Sequence, residues 1–113
     1  PAEYRALDVE PLERGTINLA VVTSARIAEA ALVEMVAIAT EAKAAVLQEL
    51  QISSAVSGGL ATGTGTDAIA IFSGHGVGGA RFAGKHTLLG EQLAIMVMDV
   101  IRSSVNYQQA PAA

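Results

Sequence analysis

Ala61-Thr62-Gly63-Thr64-Gly65-Thr66-Asp67-Ala68-Ile69-Ala70-Ile71-Phe72 changes character at its midpoint. Its first half alternates threonine with glycine and ends on a carboxylate. Such a backbone can approach a ligand closely while three hydroxyls and one carboxylate stand at the entrance of a strand. Its second half is an apolar run of the length and composition of a buried strand. A second such strand lies upstream in Thr16-Ile17-Asn18-Leu19-Ala20-Val21-Val22-Thr23. Between the two, residues 27 to 50 are rich in alanine, leucine and glutamate and free of Gly and Pro, which predicts a long helix, with Ser24 as a candidate N-cap. Beyond Phe72 come a glycine-dense loop, Gly74 to Gly84, and a second helix over about 86 to 104 with Leu89, Leu93, Met96, Val97 and Val100 as its core stripe. The order β-α-β-α predicts an α/β fold with helices packed on a mixed sheet, either complete in itself or one half of a layered αββα sandwich.

At 113 residues the chain is expected to be one domain, with residues 1–14 as a lead-in, 15–105 as the core and 106–113 as a flexible tail. Apolar residues make up 51% and charged residues 16%, and the mean hydropathy is +0.43. So little polar surface predicts a further interface, with a second copy or with a missing part of the same protein. The net charge is −4, from 11 acidic against 7 scattered basic residues, which is not the footprint of a nucleic-acid binder. There is no cysteine, so disulfide frameworks and thiol catalysis are excluded. Residues 1–14 carry four acids and no apolar segment of the signal-peptide kind, and the uncharged stretch Gln92 to Met98 is too short to span a bilayer. The expected location is the cytoplasm.

Laid out at 100° per residue, the first helix places Glu34, Glu41 and Gln48 on one stripe and Leu32, Val36, Ala39, Val46, Leu47 and Leu50 on the opposite one. Lys43 falls in the middle of the apolar stripe. Either its stem packs while the amine reaches water, or the amine meets a buried partner, for which Asp67 and the hydroxyls of the 62–66 loop are the candidates. Thr16, directly after Gly15 at the head of a strand, is either an ordinary β-branched strand residue or a nucleophile with a base nearby. His86 lies at a helix start beside Thr87, where backbone N–H groups converge, and Glu91 either complements the helix dipole or contacts a ligand.

Several familiar motifs are absent. Gly79-x4-Gly84-Lys85 is followed by His86 rather than Ser or Thr, which argues against a phosphate loop. Gly63-x-Gly65 lacks a third glycine and opens a strand, which argues against a dinucleotide site. His86 and Glu91 are five apart and do not share a helical face, so no metal is expected, and no cofactor.

Taken together, Gly15-Thr16-Ile17-Asn18, Thr40-Glu41-Ala42-Lys43-Ala44-Ala45, Ala61 to Asp67, and Gly84-x-His86-Thr87-x-Leu89-Gly90-Glu91 resemble the adenosylcobinamide amidohydrolase family, in collinear order over residues 12–102. The chain resembles the C-terminal half of that family. The resemblance implies hydrolysis of the amide that joins the aminopropanol arm to the corrin ring, giving adenosylcobyric acid for cobalamin salvage. A more distant resemblance, to self-processing aminopeptidases and ornithine acetyltransferases, places the nucleophile at Thr16. Because Gly15 and Thr16 remain joined, the base must come from elsewhere. On this reading Thr16 or a water attacks, Lys43 and Asp67 manage protons, Asn18 and Thr64 hold the oxyanion, and Glu41, Thr62, Thr66, His86, Thr87 and Glu91 contact the substrate. The alternative is a noncatalytic corrinoid-binding or assembly module. The expected partners are a corrinoid substrate and either a second copy or the missing N-terminal half, with no nucleic acid and no membrane.

Overall fold

The computed structural model describes residues 16–54, 57–76 and 79–109, so the lead-in expected over 1–14 lies outside the described residues. Strand β1, Asn18–Val22, pairs in parallel with β3, Ala68–Phe72, in the register Asn18↔Ala68 through Val22↔Phe72. Parallel neighbours need a long crossover, and helix α1, Glu29–Glu49, supplies most of it. The pairing resumes downstream, where β2, Arg26–Ile27, meets β4, Gly79–Ala80, again in parallel. An isolated antiparallel bridge joins Ser53 and Leu60. The α/β class stands, built among the described residues from two short parallel pairs and two helices.

Two-residue strands are too short to carry a period, so β2 and β4 leave no trace in the sequence pattern. Their presence corrects the expected helix start. After Thr23 the chain bends at Ser24 and Ala25 and returns to strand at Arg26 and Ile27, Ala28 takes the N-cap position without a side-chain bond, and Ser24 does not cap the helix. Instead the Ser24 carbonyl accepts from Gly76 N at 2.9 Å, and the Ala25 carbonyl accepts from Gly74 N at 2.9 Å. Gly74 is required here, because a Cβ would collide with the carbonyls of Ser24 and Thr23.

Helix α1 buries Ala31, Met35, Ile38, Ala39, Ala42, Lys43, Val46 and Leu47. Val36, expected in the core stripe, is exposed, whereas Met35, Ile38 and Ala42 are buried. The buried arc is broader than one stripe because α1 packs against β3 and also against the second helix. The helix ends in a Schellman-type turn, with Gln51 N bonded to Gln48 O and Ile52 N to Leu47 O, and Gln51 takes the left-handed conformation usually left to glycine (φ 56°).

Helix α2 runs over Leu88–Gln109, longer than expected: Gln108 and Gln109 belong to it, and only 110–113 of the expected tail lie outside the described residues. No Gly or Pro interrupts residues 91 to 109, and Pro111 is the first breaker. Thr87 is its N-cap: the hydroxyl accepts from Gly90 N at 3.0 Å and donates to the Gly84 carbonyl at 2.7 Å. Leu93, Val97 and Ile101 are its buried stripe, while Met96 and Val100, expected there, are exposed. Arg102 fastens α2 to the end of α1 by donating to both carboxylate oxygens of Glu49, at 2.8 and 3.2 Å.

Leu19, Val21, Ile69 and Ile71 turn inward onto the helices, and Asn18, Ala20, Val22, Ala68, Ala70 and Phe72 lie exposed on the other face. Among the described residues the parallel pair is therefore covered on one face only.

Candidate functional site

Asp67 immediately precedes β3, and Ile17 immediately precedes β1. The Asp67 carboxylate closes this end of the parallel pair. Its Oδ1 accepts from Ile17 N at 2.8 Å and from the Thr64 hydroxyl at 2.6 Å. Its Oδ2 accepts from Lys43 Nζ at 2.8 Å and from Thr64 N at 2.9 Å. Lys43 thus reaches from the buried side of α1 to the glycine and threonine loop. Gly63 packs over this pair so closely that a Cβ would lie 2.5 Å from Asp67 Oδ2 and 2.7 Å from Lys43 Nζ. A side chain there would have to displace the ends of both partners.

Burial works to raise the Asp67 pKa, but the bonds from Lys43, Thr64 and Ile17 outweigh it and lower the value from 3.8 to about 2. Asp67 is therefore a fixed anion at neutral pH. A carboxylate held this low is a poor proton acceptor there.

The network continues outward. Thr66 donates its hydroxyl to Thr16 Oγ1 at 2.7 Å, and Thr66 N donates to Thr64 Oγ1 at 3.4 Å. A chain of contacts therefore runs from Thr16 through Thr66 and Thr64 to Asp67 and Lys43. Thr64 gives both its N–H and its hydroxyl to Asp67, so its donors serve the carboxylate rather than a ligand oxyanion. Asn18 and Thr62 are exposed, and neither side chain joins the network.

Glu41, His86, Thr87 and Glu91 lie elsewhere, and only Glu41 and Glu91 share a groove. Glu41 and Lys43 are two residues apart, or about 200° around the helix, so they face different ways. Glu41 pairs with Lys85 at 2.9 Å on the rim of a groove of about 370 Å³ between α1 and α2. Glu91 lines the same groove, whose walls include Ile38, Ala42, Ala94 and Met98. The hydroxyl of Thr87 is committed to capping, and His86 is exposed near Gly84, where a Cβ would lie 3.0 Å from both His86 Cε1 and Glu34 Oε2.

Glu34 and Ser104 were not marked by any motif. Glu34 Oε1 accepts from Ala83 N at 3.2 Å and so ties α1 to the turn ahead of α2. Its place on the polar stripe with Glu41 and Gln48 gives no sign of that contact. Ser104 lines a cleft of about 260 Å³ together with Thr16, Asn18 and the side of β1. His75 stays exposed in its loop. Among the described residues no three His, Cys, Asp or Glu side chains converge as a metal site, and no helix is long and apolar enough to cross a membrane.

A family model described as adenosylcobinamide amidohydrolase matches residues 1–113. A protein of Methanocaldococcus jannaschii described as uncharacterized is 41% identical over 95 residues, which cover 80% of this chain and 37% of that relative. The chain therefore spans little more than a third of the length of the curated relative it matches. No solved structure matches it.

Proposed function

The chain belongs to the adenosylcobinamide amidohydrolase family, and on that premise we propose that it hydrolyses the amide between the corrin side chain and aminopropanol, yielding adenosylcobyric acid in cytoplasmic corrinoid salvage. The observation that carries the reading is the family match over residues 1–113, and the buried Lys43–Asp67 pair beside Thr16 supports it. In the proposed reaction a water adds its oxygen to the amide carbon, directly or after Thr16 has attacked. The C–N bond breaks, and the leaving amine takes up a proton. Lys43 carries that proton, and Asp67 is its fixed countercharge rather than the acceptor, because its pKa is about 2. The Asn18 amide donates to the developing oxyanion. Thr64 and Thr66 hold Asp67 and Thr16 in place. Thr62 borders the reacting arm, while Glu41 and Glu91, from the α1–α2 groove, and His86 contact the polar periphery of the ring.

Exposed apolar residues on the open face of the sheet, Val22 and Phe72, and on α2, Ile95, Met96 and Val100, support a further partner: a second copy, or the remainder of a longer chain. The test is incubation with adenosylcobinamide, read by mass spectrometry for adenosylcobyric acid and free aminopropanol. Turnover supports the hydrolase. Saturable binding without product would make the chain a corrinoid-binding module instead.

A further inference from the structure

We infer that the cleft between the start of β1 and the C-terminal half of α2 receives an uncharged carboxamide arm, and that Ser104 is one of its contact residues. The inference rests on the amide-hydrolase reading and adds to it a place and a selectivity. The cleft encloses about 260 Å³, on the scale of a side arm rather than of a whole macrocycle. Its polar groups are Thr16, Asn18 and Ser104, set against an apolar wall that includes Leu19, Ile101 and Val105. Among the described residues that line it, none is ionisable.

Each of the three polar side chains both donates and accepts hydrogen bonds. A carboxamide offers the complement, an acceptor oxygen and N–H donors on one small planar group. Among the described residues of the cleft a carboxylate would meet no cation and an ammonium no anion. The cleft therefore prefers an amide to the acid that hydrolysis leaves behind. Thr16 is held for this purpose: its oxygen already accepts from Thr66 at 2.7 Å, which fixes the side chain at the mouth of the cleft and leaves its own proton to donate. Ser104 sits where the helix turns the same side as Ile101 and Val105 toward β1. Its neighbour Ser103, exposed like Ser104, does not line the cleft.

The test is an NMR titration of the isotope-labelled chain with propionamide and, separately, with propionate. Propionamide is expected to shift backbone amides in residues 16–19 and 100–105 saturably, and propionate to bind several-fold more weakly. Ser104→Ala is expected to weaken propionamide about fivefold, the loss of one neutral hydrogen bond, and Ser103→Ala to leave it unchanged. Equal binding of the two probes overturns the inference, as do shifts centred on the α1–α2 groove, an unchanged affinity in Ser104→Ala, or no saturable shift with either probe. The readout needs no turnover. Amide-selective binding with no hydrolysis of adenosylcobinamide would remove the proposed reaction and leave the cleft, and hydrolysis without amide selectivity would do the reverse.

Discussion

Lys43–Asp67 and Lys85–Glu41 are the same kind of ion pair at nearly the same length, 2.8 and 2.9 Å, each with its lysine or glutamate on α1. Their settings are opposite. The side chains of the first pair are 10% and 8% exposed, those of the second 73% and 57%. At the surface, water competes for both charges and the pair adds little. In the interior each charge has lost its hydration, so the pair must be completed by further donors, and Thr64 and Ile17 provide them. Distance alone does not separate a structural pair from a solvated one. Burial and the number of satisfied lone pairs do.

The largest expected consequence of that difference is in Asp67→Ala. It leaves the Lys43 ammonium buried without a counterion and frees the donors of Ile17 and Thr64, at a cost of about 3–5 kcal/mol in urea unfolding. A loss no larger than that of a surface mutant would mean that the interior pair is not an organising contact. Gly63→Ala should follow, with a loss of up to about 3 kcal/mol, because the added carbon meets both partners of a pair that cannot move freely. Wild-type stability in this variant would show that the loop is not packed over the pair.

Acid titration comes next. The folded pKa of Asp67 is lowered from 3.8 to about 2, so the stability it confers is present in full above about pH 4 and is lost as the pH falls through 2. The shift corresponds to about 2 kcal/mol. Unfolding free energy measured against pH should show this acid limb in the wild type and not in Asp67→Ala. The smallest effect belongs to the surface pair: Lys85→Met should change stability by less than about 0.5 kcal/mol. A larger change would erase the contrast.

Lys43 was legible in the sequence because a charge in an apolar stripe needs a partner, and the nearest carboxylate at a strand end was Asp67. The same reasoning misjudged Val36, Met96 and Val100, since periodicity gives a direction for the apolar face but not how many neighbours will cover it. Met35 and Ile38 are buried because α1 is packed on two sides. The division of the expected site into two groups was also hidden. Glu41 and Lys43 are close in sequence, yet the helix sends one to the groove with α2 and the other to the strand ends. Thr87 resembled a ligand contact because an N-cap and an anion site use the same hydroxyl in the same place. Ser104 gave no signal, since nothing in a helical serine shows that a strand from far upstream will lie opposite it.

On the proposed function the interior pair, and not its surface counterpart, takes part in amide hydrolysis. The rate of aminopropanol release from adenosylcobinamide by the wild type, Lys43→Met and Lys85→Met tests it most directly. Methionine keeps the apolar stem and removes the charge. The expected result is turnover by the wild type, a loss of at least about 100-fold in Lys43→Met with the fold retained, and near-normal release by Lys85→Met. Full activity in Lys43→Met, or no release by the wild type, would contradict it.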